Sequence, residues 1–126
     1  FGLSPHRFPI VGKPGTMAML SAPGAFEGYE NLLKGSESFK NEVCARALLM
    51  AHGADPVEAS AEVKCPVLFL VCEEDNLASP ESYKRAAEAL GEKAKVISYP
   101  IGHFDIYVGE CFEKAVAEKI NFLKEI

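Results

Sequence analysis

KCPVLFLVCEEDNLASP, residues 64–80, and PIGHFDIY, residues 100–107, decide how this chain is read. The first holds a continuous apolar run, Pro66–Cys72, bounded by proline on one side and charge on the other. A run of that kind is the mark of a parallel strand buried on both faces. Ser79-Pro80 then starts a helix, a residue suited to the N-cap followed by one preset for the first turn. Tyr83, Ala86, Ala87 and Leu90 line one face of that helix and Gly91 stops it. Lys95–Tyr99 (KVISY) is a second strand, running into PIGHFDIY. Two strands separated by one helix imply parallel pairing through a crossover. After Gly109, the apolar stripe of Phe112, Ala115, Val116, Ile120 and Leu123 predicts a closing helix.

Open parallel sheets gather their functional groups outside the carboxyl ends of the strands. Asp75 and His103 each follow such an end, 28 residues apart, which is what one helix and one returning strand consume. The two loops are therefore neighbours. An acid there can fix the tautomer and orientation of an imidazole, the arrangement of an orienter and a general base. The plainer alternative makes Asp75 a helix cap and His103 a loop residue; the paired placement, with Gly102 before the histidine, favours catalysis. Glu73 and Glu74 compete for the acid role, but they stand closest to the strand, whereas Asp75 starts the turn. Asp105 is read as a brace of its own loop, and Glu110 as a carboxylate opening the last helix, where the dipole favours it. His6 and His52 have no acid or cysteine arranged around them and take loop and helix-end roles. No G-x-S-x-G run is present, so an acid and a base stand without a visible nucleophile.

Residues 1 to about 60 read differently, with five of the eight prolines and no convincing strand longer than a few residues. Phe8–Val11 is apolar but pinned by Pro9 and stopped by Gly12, Pro14 and Gly15, a short edge segment or loop. Phe26, Tyr29 and Leu33 recur at helical spacing behind Pro23, which is placed in the first turn. Phe39, Val43, Ala47 and Met50 predict a second helix stopped by Gly53. Asp55-Pro56-Val57-Glu58 is a capping-box pattern opening a short third helix. Gly12-Lys13-Pro14-Gly15-Thr16 fails as a phosphate loop, because Arg7 stands where the first glycine belongs and Pro14 where Ser or Thr must follow the lysine.

With 126 residues, a hydrophobic fraction of 48% and a charged fraction of 25%, the chain is of a size and composition for an ordinary globular domain. A net charge of −5 with no basic stripe excludes a nucleic-acid partner. No apolar run is long enough to span a bilayer. Cys44, Cys65, Cys72 and Cys111 show no C-x-x-C and no histidine at finger spacing, so they are expected as buried free thiols in a reducing, cytoplasmic setting. No cofactor or metal constellation is present in the pattern.

CPVLFLVCEEDNLASP, then YPIGHFDIYVGECFEKAV and a closing FL, resemble the C-terminal portion of the α/β-hydrolase superfamily. The runs PIVGKPG, GYENL and NEVCARALL resemble a bacterial and archaeal branch of esterases, dienelactone hydrolases and peptidase-like hydrolases. The resemblance implies an α/β fold: residues 1–62 as a helical, cap-like insertion, and 63–126 as the last β-α-β-α unit of the core. It implies Asp75 as triad acid, His103 as triad histidine, and a small-molecule ester or acyl substrate cleaved by serine attack. Cys72 departs from the glycine many members carry before the acid turn, and the serine elbow and oxyanion strands are absent. The chain is thus expected to be a C-terminal fragment, inactive alone, that forms a homo-oligomer or takes a companion chain carrying the missing strands. The reading from another class is a non-catalytic module pairing through its exposed sheet edge; a complete flavodoxin-like binder would need more strands than are visible.

Overall fold

The computed structural model describes residues 4–50 and 55–126. By its own contacts the chain divides into two compact units, with the boundary between Ala54 and Asp55.

In the first unit, strand β1 (Arg7–Phe8) pairs antiparallel with β2 (Val43–Cys44), and Val11 bridges Leu20. Helix α1 (Ala25–Leu32) starts behind Gly24, whose φ of 80° is left-handed backbone that suits glycine. Pro23 therefore precedes the helix rather than sitting in its first turn. The expected second helix is also shorter: α2 covers Arg46–Met50, and Val43 and Cys44 belong to a strand instead. Spacing by three or four residues could not show that Val43 has a partner in Phe8, a contact across 35 positions. Gly53 and His52 lie outside the described residues. The Asn41 side chain acts as a further strand edge, accepting the Val11 N–H at 2.9 Å and donating to its carbonyl at 2.8 Å. Val11 and Ala25 form the buried centre of this unit.

The second unit opens with α3 (Pro56–Ser60), capped as its sequence predicts: Asp55 Oδ1 accepts the Val57 N–H at 2.9 Å. Strand β3 (Val67–Cys72), helix α4 (Pro80–Leu90) and strand β4 (Ala94–Tyr99) follow. β3 and β4 pair in parallel from Val67 opposite Ala94 to Cys72 opposite Tyr99. Ser79 occupies the N-cap of α4, but its hydroxyl makes no cap bond. Gly91 ends the helix at φ 59°, ψ −129°, a conformation that glycine alone adopts without strain. Helix α5 (Gly109–Glu125) closes the chain. Helix α3 packs on α4, where Ser60 is buried and its hydroxyl donates to the Val57 carbonyl at 2.6 Å. That packing draws α3 into the second unit, whereas the sequence reading sets the boundary after residue 62.

Three expectations about burial are corrected. The apolar run predicts a β3 buried on both faces, yet only Val71 is buried, and its neighbours are half-buried. Among the described residues β3 and β4 form a two-stranded sheet, so each strand keeps an open edge. Of the stripe on α5, Ala115 is buried, while Phe112, Ile120 and Leu123 are exposed. The cysteines are free, as expected, but Cys65 is exposed and the other three are half-buried. Among the described residues no helix is long and apolar enough to cross a membrane.

Candidate active site

The parallel ladder does not stop where the strands do. Beyond β3, the Glu73 N–H donates to the Tyr99 carbonyl at 2.9 Å and the Glu74 N–H to the Ile101 carbonyl at 3.1 Å. These two bonds tie the segment after β3 to the end of β4 and the loop that follows it, just ahead of Asp75 and His103. Asp75 follows at once. Its Oδ1 accepts the Leu77 N–H at 2.7 Å and the Ala78 N–H at 2.9 Å, an Asx-type turn that fixes the carboxylate plane. Its second oxygen, Oδ2, lies 2.7 Å from Nδ1 of His103. One oxygen of the carboxylate thus forms the turn, and the other meets the imidazole.

Burial of Asp75 disfavours its charge, but the Ala78 N–H, His103 and the Leu77 N–H together outweigh it and hold the carboxyl below its ordinary value. An ionised carboxylate only accepts hydrogen bonds, so Nδ1 carries the imidazole proton and Nε2 is left as the basic nitrogen. His103 is about a third exposed (32%) and Asp75 is largely covered (13%), which leaves the histidine reachable from solvent. The Phe104 ring meets the imidazole edge-on at 4.9 Å, and the Tyr107 ring stands 6.5 Å away. Both keep the histidine against an apolar wall.

Asp75 and His103 open on a cleft of about 460 Å³ between β3 and the start of α4. Val71, Tyr83, Ile106, Tyr107 and Lys119 help line it. The helical period marks Tyr83, but nothing local in the sequence marks Tyr107 or Lys119, because a cleft wall follows no local period. Cys72 lines the cleft as well. Burial pushes its thiol up, and Asp75, Asp105 and Cys111 add to that, so it stays protonated and is a poor nucleophile. Ser60 is taken by its bond to Val57, and Ser79 and Ser82 line the cleft beside α4. Glu73 and Glu74 are exposed, and Glu110 pairs with Lys114 at 3.2 Å on the outer surface of α5. Asp105 braces its own loop, accepting the Gly102 N–H at 2.9 Å. Among the described residues no group of three or more His, Cys, Asp or Glu is arranged to hold a metal ion.

This is a mixed α/β protein with a hydrogen-bonded carboxylate–imidazole pair at the carboxyl end of its parallel strands. Similar proteins are known. The chain is 36% identical over 126 residues to the quorum-quenching protein AidA of Acinetobacter baumannii (strain MDR-ZJ06), covering 99% of this chain and 41% of AidA. Over 72 residues it is 32% identical to an uncharacterized 31.7 kDa protein of Escherichia coli from the traX-finO intergenic region, covering 56% of this chain and 25% of that protein. Its fold matches DcsB, solved in complex with its substrate analogue, with a TM-score of 0.76 and 26% identity over 98% of this chain and 44% of DcsB. The chain therefore spans about two fifths of the length of AidA. No protein-family model matches it.

Proposed function

We propose that this chain supplies the acid and the histidine of an α/β-hydrolase that cleaves a carboxylic ester or related acyl bond. The observation that carries the reading is the 2.7 Å contact between Asp75 Oδ2 and His103 Nδ1, with Nε2 left free in a solvent-reached cleft. In this mechanism Nε2 takes the proton of an attacking hydroxyl while that oxygen bonds to the acyl carbon. The imidazolium, stabilised by Asp75, then returns the proton to the leaving oxygen as the acyl–oxygen bond breaks. Water repeats the sequence to release the acid. The nucleophile and the donors for the developing oxyanion come from outside the described residues.

Likeness to DcsB, a protein that takes a substrate, supports an enzyme. Likeness to AidA supports a quorum-sensing signal with an acyl bond as the compound cleaved. The open edge of β3 and the exposed stripe on α5 favour a second reading, a non-catalytic module that pairs with another chain.

The test is turnover of a short activated ester, and of an acyl-bearing quorum signal, by a polypeptide of AidA's length that contains this chain. Activity is expected there and not in the 126-residue chain alone. His103→Ala is expected to lower kcat by about four orders of magnitude or more. Activity that survives both His103→Ala and Asp75→Ala would sink the catalytic reading. Inactivity of the longer polypeptide would favour the module.

A further inference from the structure

We infer that Asp105 is a positioning residue: its carboxylate holds the turn from Gly102 to Asp105 in the one shape that keeps the His103 imidazole on Asp75. The inference rests on the acid–histidine reading above and adds a residue that acts through His103 without touching a substrate.

His103 sits between two residues that bond each other twice. Asp105 Oδ2 accepts the Gly102 N–H at 2.9 Å, and the Asp105 N–H donates to the Gly102 carbonyl at 3.2 Å. The carboxylate approaches Gly102 so closely that a Cβ added there would lie 3.1 Å from Asp105 Oδ2. On the upstream side, Ile101 is tied through its carbonyl to Glu74, in the loop that carries Asp75. On the downstream side, a 3-10 turn (Asp105–Tyr107) packs on α5, with Ile106 buried. Both flanks of the histidine are therefore anchored, and the Gly102–Asp105 pair is the link that sets the path of the backbone between the anchors.

That path matters because the side-chain bond is short. A 2.7 Å contact between Nδ1 and Oδ2 that lengthens by about an ångström falls outside hydrogen-bond range, and Asp75 is held from following. Its own carboxylate plane is fixed by the Leu77 and Ala78 N–H groups. All the tolerance for misplacement lies on the histidine side, where Asp105 acts. The bond to Gly102 needs an acceptor at the position of Oδ2 and does not need a charge. Asparagine can provide it; alanine cannot.

The test is nitrogen NMR of the chain labelled with ¹⁵N at histidine, recorded at pH 8.5, with His103→Asn used to assign the His103 signals. The unaltered chain is expected to show the proton on Nδ1, slowed in exchange, and an unprotonated Nε2. Asp105→Ala is expected to speed exchange of that proton by about fivefold or more, the factor one net hydrogen bond commands, and to mix the two tautomers. Asp105→Asn is expected to stay within about twofold of the unaltered chain, because its amide oxygen still accepts from Gly102. A purely structural role would lower the melting temperature without moving the tautomer. Where Asp105→Ala fails to fold, Asp105→Glu carries the test, since it keeps the charge and displaces the acceptor by one methylene. Exchange as slow in Asp105→Ala, or in a Glu variant standing in for it, as in the unaltered chain overturns the proposal, and so does an Asn variant as impaired as Ala. A folded, unaltered chain with no proton on Nδ1 overturns the Asp75–His103 pair itself, and the proposal with it, so the two failures are told apart by the first spectrum.

Discussion

Replacing Asp75 with alanine removes three acceptor contacts at once, those to the Leu77 N–H, the Ala78 N–H and His103 Nδ1. A hydrogen bond to a charged group contributes about 1.5–3 kcal/mol net. The three are not additive here. Ala78 is exposed, so its N–H returns to water, and His103 is a third exposed (32%), so its N–H does the same. The expected loss is therefore about 2–4 kcal/mol, set mainly by the half-buried Leu77 N–H and by the freed loop. Asp75→Asn keeps an oxygen on the turn and should cost only about 1 kcal/mol, while its amide group faces Nδ1 with a donor and drives the imidazole proton to Nε2. The fold is expected to survive while the proposed base is lost.

The same carboxylate fixes the sign of the pH dependence. Its folded pKa is lowered from the ordinary 3.8, so the stability it contributes is fully present above that value and is lost as pH falls through the lower folded value. Urea unfolding of the chain, its Asn variant and its Ala variant, followed by circular dichroism from pH 7 down to pH 2, reads both effects. The gap between unaltered chain and Asn variant should narrow in acid. An Ala variant within about 0.5 kcal/mol of the unaltered chain, or a gap that widens as pH falls, would overturn the role given to this carboxylate.

Leu90, buried to 4% exposure at the end of α4, should cost about 2–4 kcal/mol when cut to alanine, read as a lower urea midpoint at unchanged slope. Gly91→Ala meets no atom within 4 Å, so its expected cost of about 1–3 kcal/mol is conformational; a melting temperature equal to that of the unaltered chain would contradict it. The open edge of β3 and the exposed Phe112, Ile120 and Leu123 lead us to expect self-association, or uptake of a partner chain, visible by light scattering. A clean monomer at high concentration would count against it.

The elements of the second unit were legible because their signals are local. An apolar run closed by proline and charge reads as β3, Ser79-Pro80 and Gly91 bracket α4, and Asp55-Pro56 starts α3. The first unit was less legible because its decisive contacts are not local. Phe39, Val43 and Ala47 fit a helical period, but the backbone of Val43 and Cys44 found partners in Phe8 and Arg7, and no window along the chain contains that pairing. Burial was overread for β3 on the same ground: an apolar run states what a strand tolerates, and the number of neighbours it receives is set elsewhere.

The candidate site divides in the same way. Strand and helix lengths fix where a parallel crossover returns, and that alone places Asp75 and His103 past the strand ends on neighbouring loops. Which oxygen meets which nitrogen, what lines the cleft, and how the histidine is held follow from contacts between residues far apart in the chain. Those depend on the Glu73 and Glu74 N–H groups reaching across to the carbonyls of Tyr99 and Ile101, and on Asp105 closing back on Gly102. Hydrogen bonds across 26 or 27 residues leave no periodicity in a sequence, since their free energy is realised only once both strands are already in place.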